Sequence, residues 1–154
     1  NRDKAFTTCS NKKCHELYQR EAGFKMKDKE TKPSLIYLAN PYSHKNKYIQ
    51  DMRFLITSYI GSKLIEKGFH IFSPIVESHN YAEINPALKT DWNYWKTHDL
   101  LMIDRCDELW VITMKGWDTS IGVMSEIDHA EQNAKKVVYV DPQRYIDFCD
   151  VIEK

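Results

Sequence analysis

Two carboxylates stand where a plain surface acid is not expected. Asp99 lies in a stretch whose Trp92, Trp95, Met102 and Ile103 mark one apolar side of a helix, and its spacing from Trp95 and Met102 points it the same way. Desolvation there raises a carboxyl pKa and favours the acid form. Glu126 follows the loop "GWDTS" and falls about one and a half turns into a second helix. Gly122 is one turn earlier on the same side and leaves room for a ligand, while Val123 and Ala130 flank the Glu. The partial positive charge of the helix start helps to keep such a Glu ionised. An acid held neutral beside an ionised carboxylate is the usual equipment for cleaving a glycosidic bond. The competing reading is two structural acids, with Asp99 satisfied by backbone donors or by an Arg such as Arg53. Asp118, Thr119 and Ser120 are N-caps by default. A helix start with hydroxyls is also a phosphate seat. Trp117 either stacks on a base or packs the loop.

The elements that must position these residues alternate. Residues 34–39, "SLIYLA", form an apolar run suited to a strand buried on both faces. "NPYSHKNK" reads as a loop, 48–67 as a helix ended by Gly68, and "FHIFSPI" as a strand stopped near Pro74. Residues 77–90 read as polar and irregular. Asp91 caps a helix through Arg105, "ELWVIT" is a third strand, Ser120–Lys135 a helix, "KVVYV" a fourth strand, and Pro142 opens a last helix. This order predicts an α/β domain, a Rossmann/flavodoxin-like, doubly wound parallel sheet of four to five strands. Such sheets bind ligands beyond the carboxyl ends of their strands. The loops there are "ANPYSHK", "SPIVESHN" and "MKGWDTS".

Composition excludes several classes. The chain of 154 residues has 22 basic and 22 acidic side chains. That balance argues against broad electrostatic binding to nucleic acid or to an anionic membrane. There is no apolar run of spanning length and no apolar-centred leader, so the expected setting is the cytoplasm, in a bacterium or encoded by a phage. Charge is uneven, with nine basic against five acidic side chains in residues 1–33, read as a basic extension ahead of a single domain over 34–154. Within it, 12–22 has the spacing of a short helix. Cys9, Cys14 and His15 lack a second, matched ligand pair, so the cysteines read as reduced thiols and no metal is expected.

Four stretches in order resemble the nucleoside 2-deoxyribosyltransferase-like superfamily, and most closely its nucleoside 5′-monophosphate N-glycosidases. They are "IYLANPYS", "FSPIVESH", "HDLLMIDRCDELWVI" and "SIGVMSE", and they cover roughly residues 35–140. The resemblance implies Glu126 as the nucleophile that accepts the sugar, Asp99 as the catalytic Asp, Tyr37 as the residue orienting Glu126, and a structural Asp107. Tyr42, Ser43, Ser120 and Gly122 would surround the phosphate, and Asn40, Arg53, His79 and Trp117 complete the substrate-binding set. Base identity would come from His79, Asn80, Trp92 and Trp95. Relatives acting on free nucleosides carry an acid where this chain has Ser120. A hydroxyl there favours a phosphate, which a second carboxylate would repel. The implied activity is cleavage of the base–sugar bond of a ribo- or deoxyribonucleoside 5′-monophosphate, with no cofactor and within a homodimer. Base exchange on free deoxynucleosides, NAD glycohydrolysis and nucleotide sensing without turnover are the competing functions.

Overall fold

The computed structural model describes residues 33–146. Its centre is β1, Leu35–Ala39, in which the last four residues are buried. A strand apolar on both faces needs a layer on each side, and the chain supplies both. β1 pairs in parallel with β2 (His70–Phe72) on one edge and with β3 (Glu108–Ile112) on the other. β4 (Lys136–Val140) adds in parallel outside β3, giving the order β2-β1-β3-β4. The helices between them are α1 (Lys47–Glu66), α2 (Pro74–Ile84), α3 (Trp92–Arg105) and α4 (Ile121–Gln132). The expected Rossmann/flavodoxin-like α/β architecture is present, with four strands among the described residues.

Strand alternation divides the core in two. Tyr37 and Ala39 of β1 pack with Leu109 and Val111 of β3, Ile103 of α3, and Val123, Ile127 and Ala130 of α4. Leu38 points the other way and packs with Ile112, Met114, and Ile60 and Leu64 of α1. The sheet is thus covered on both faces. The chain leaves β1 toward β2 and leaves β3 toward β4, in opposite directions along the sheet. The switch point therefore falls between β1 and β3, and the loops 40–46 and 113–120 emerge there side by side. Asp107 is structural: its Oδ2 accepts from Leu35 N at 2.8 Å and its own N–H donates to Leu35 O at 2.7 Å, locking β3 to β1.

Two expectations need correction. The region 77–90, read as irregular, contains most of α2. Ser73 caps that helix by accepting from Val76 N, and Pro74 sits in its first turn. Pro lacks an N–H but the first turn needs none, so Pro74 starts a helix here, and β2 ends at Phe72. Pro142 opens only a 3-10 turn, Pro142–Arg144, capped by Asp141. The helix expected over 12–22 and the Cys9, Cys14 and His15 group lie outside the described residues. Cys106 is a free, buried thiol, pushed up to about 11 by burial. Among the described residues no helix is long and apolar enough to cross a membrane.

Leu64 is fully buried where α1 meets the sheet. Leu64→Ala is expected to cost about 2–5 kcal/mol by lost burial and a residual cavity. Urea unfolding measures this, and a loss below about 1 kcal/mol would contradict the packing described.

Candidate active site

Tyr37 is held inside by its place on the central strand, with no exposed surface. Its hydroxyl needs a partner there. It finds one across the core, donating to Glu126 Oε1 at 2.6 Å. Glu126 lies in the second turn of α4 and is 5% exposed. Asp99, in the middle of α3, is 6% exposed. Its Oδ1 is buried without a hydrogen-bond partner. The structural account in which Arg53 satisfies Asp99 therefore fails. Arg53 is engaged elsewhere, donating from Nη1 to the carbonyls of Tyr42 and Ser43 and from Nη2 to that of Lys115.

A pocket at the switch point brings together Asn40, Tyr42, Ser43, Asp99, Ser120 and Glu126. Gly122 joins them at the start of α4. Tyr37 lies behind Glu126 and acts on the pocket through it. Arg53 ties the loop after β1 to the loop after β3, and it lines a larger, mainly apolar groove that shares Ser43, Trp92 and Ser120 with the pocket. His79 is buried behind Tyr42, with Nδ1 at 2.8 Å from the Tyr42 hydroxyl and its ring stacked on Phe54. It steadies Tyr42 and is not among the pocket's lining residues. Trp117 is not among them either; its ring packs on Tyr139 at 5.2 Å, the packing alternative of the two open to it. Of the residues considered for the base, Trp92 and Trp95 line the pocket. Asn80 hydrogen-bonds its own helix at Val76 O.

Two expectations about the pocket's interior also change. The space opened by Gly122 is taken: a Cβ built there would lie 3.3 Å from Trp92 Cε3. The helix start does not keep the Glu126 carboxyl in the usual carboxylate range. Burial pushes its carboxyl up to about 8, against the hydrogen bond from Tyr37 and with the nearby Asp99 adding to the rise. The helix-start charge fades within the first turn and Glu126 stands in the second, so removal from water is the larger effect. Burial likewise raises Asp99 to about 7, opposed by His98 and helped by Glu77. The two acids are thus both raised, in each case chiefly by burial.

Sequence reasoning missed Ile75 and Ser78, which line the pocket from α2. Their i, i+3 spacing puts them on one helical face. That face does not show while the segment reads as irregular, and Ser73-Pro74, the helix cap here, fits a strand stop as well. Thr90 and Asp91 complete this wall.

A family model described as a domain of unknown function, DUF1937, matches residues 34–141. The chain belongs to the DUF1937 family. No curated protein matches the chain. The matched span holds both carboxylates, Tyr37 and every loop of the pocket, so the site lies wholly within the DUF1937 domain. The domain also sets ligand-type atoms of Asp51, His79 and Glu83 within 4.8 Å of one another. Lys47 Nζ already bridges that group, at 2.6 Å from Asp51 Oδ1 and 2.8 Å from Glu83 Oε1, supplying the positive charge.

Both site carboxyls hold their protons more tightly in the folded chain than in the unfolded one. Their contribution to stability is therefore full below about pH 4 and is lost as pH rises, through about 7 for Asp99 and about 8 for Glu126, by up to about 1.4 kcal/mol per pH unit for each group. The thermal midpoint is expected to drop between pH 5 and pH 8, and Glu126→Gln to flatten that slope. An identical slope in wild type and variant would count against a buried, proton-binding Glu126.

Proposed function

We propose that this DUF1937 domain is an N-glycosidase that cleaves the base–sugar bond of a ribo- or deoxyribonucleoside 5′-monophosphate, releasing free base and sugar 5-phosphate. The observation that carries this reading is the buried trio at the switch point: Glu126 oriented by Tyr37, beside Asp99 with an unpartnered oxygen. A solely structural pair of acids would be costly, because buried carboxyls without full partners are destabilising.

In this reading a Glu126 oxygen, once ionised, attacks the anomeric carbon. The carbon–nitrogen bond breaks and its electron pair leaves with the base, which takes a proton from Asp99. A glycosyl ester on Glu126 results. Asp99, now ionised, accepts a proton from a water that attacks the same carbon, and the Glu126 carboxylate departs. Positive charge developing on the sugar favours the ionised Glu126, offsetting the burial that raises its pKa. The phosphate has a seat at the start of α4. There the Ser120 hydroxyl accepts from Val123 N, and the N–H groups of Ile121 and Gly122 precede the first intrahelical bond. Trp92, lying against Gly122, would move aside or stack on the bound nucleotide.

The test is incubation with each ribo- and deoxyribonucleoside 5′-monophosphate separately, with chromatography for free base. Release from at least one is expected, and Glu126→Gln should reduce it by about a thousandfold or more. No release from any nucleotide would overturn the reading and leave NAD cleavage or binding without turnover.

A second expectation concerns pH. The productive form pairs ionised Glu126 with protonated Asp99, so kcat/KM should be bell-shaped, with limbs in the region of about 7 to 8 belonging to the pair. Asp99→Asn should lower the rate and abolish the alkaline limb, because no acid is left to lose its proton. An alkaline limb that persists in Asp99→Asn would assign the proton donor to another group.

A further inference from the structure

Asn40 is the first residue after β1, at the switch point, and is 4% exposed. Its Nδ2 donates to Pro41 O at 3.1 Å. A carbonyl only accepts, so this contact fixes the amide: the reverse orientation would set two acceptors against each other. Its Oδ1 is left buried with no hydrogen-bond partner, in a side chain that lines the pocket with Asp99 and Glu126.

An amide oxygen accepts and never donates, at any pH. Asp99 is different, since it presents a donor when protonated and an acceptor when ionised. One oxygen of Glu126 is already taken by Tyr37. Asn40 Oδ1 is therefore an acceptor of fixed character beside the two carboxyls. A phosphate oxygen or base carbonyl placed against it would leave two acceptors facing each other, at the cost of an unmade buried hydrogen bond. An N–H or O–H placed there would remove that cost.

We propose that Asn40 Oδ1 is a specificity determinant that accepts a hydrogen bond from a donor on the nucleoside part of the substrate, either an exocyclic amine of the base or a hydroxyl of the sugar. This rests on the nucleotide reading above. It also orients the ligand: the nucleoside end faces Asn40, and the phosphate turns away from it toward Ser43 and Ser120.

The test uses the full chain carrying Glu126→Gln, which holds substrate without turnover, and calorimetry to measure Kd. The probes are adenosine, cytidine and guanosine 5′-monophosphates, their 2′-deoxy and 3′-deoxy forms, and analogues without the exocyclic amine. Each is measured with Asn40, with Asn40→Leu and with Asn40→Asp. For one nucleotide, removing one donor is expected to weaken binding about tenfold, as Asn40→Leu does, and the two together to cost no more than either. Loss on removing the amine assigns the contact to the base; loss on removing a hydroxyl assigns it to the sugar. Asn40→Asp keeps an acceptor and should preserve or enlarge the preference for the donor-bearing nucleotide. If Asn40→Leu does not fold, Asn40→Asp decides alone, and a lost preference there overturns the proposal. Effects of Asn40→Leu that are additive with every donor, or no effect at all, overturn it while leaving the glycosidase reading intact. If no nucleotide binds, both fall together.

Discussion

The hydrogen bond between Tyr37 and Glu126 joins the central strand to the helix that begins the site. At 2.6 Å it is a short O–H···O contact between two side chains that are almost wholly removed from water. Each group would be costly alone. A Tyr on a doubly covered strand must bury its hydroxyl, and a Glu facing the core must bury its carboxyl. Together they satisfy each other in part and fix where the carboxyl stands. The second turn of α4 is thereby registered against β1, and the loop that precedes α4 is held at the switch point.

Around that contact the loops are held by few but specific bonds. The Arg53 guanidinium donates to three carbonyls, two in the loop after β1 and one in the loop after β3. The chain can follow that path because Gly116 takes φ 89, a conformation that side chains disfavour. Ser120 then caps α4 four residues later. A planar, always charged group on fixed carbonyls makes a stiff clasp between two loops that no strand pairs. The same loops carry Tyr42, Ser43 and Ser120, so what steadies the fold at this edge also places the pocket's hydroxyls.

The pocket's electrostatics follow from the burial of its two acids. Both acids are raised by burial, the Glu more than the Asp, and the Asp99 charge adds to the rise at Glu126. In the proposed chemistry this is a resting state that the substrate relieves, since a developing oxocarbenium centre replaces the missing counter-charge. Asn40 adds a polar oxygen of fixed character to the same wall.

Much of this was legible in the sequence. Apolar runs set the strands, and the period of 3.6 placed Asp99 on the buried side of α3. The alternation of strands and helices led to the doubly wound sheet, and the loops at its carboxyl edge were the right ones to search. Those features depend on local pattern, which a single chain carries in full. What depended on distant neighbours did not show. Ser73-Pro74 serves equally as a strand stop or a helix start until the packing on β1 decides. Gly122 reads as open space, and only the fold brings Trp92 from another helix to fill it. Trp117 and His79 are the right residue types for a ligand, yet tertiary packing turns one onto Tyr139 and sets the other behind Tyr42. The raised pKa of Glu126 is hidden from the sequence for the same reason. Its helix position is written in the sequence, whereas its dehydration is the sum of every surface that closes over it, and that sum exists only in the folded chain.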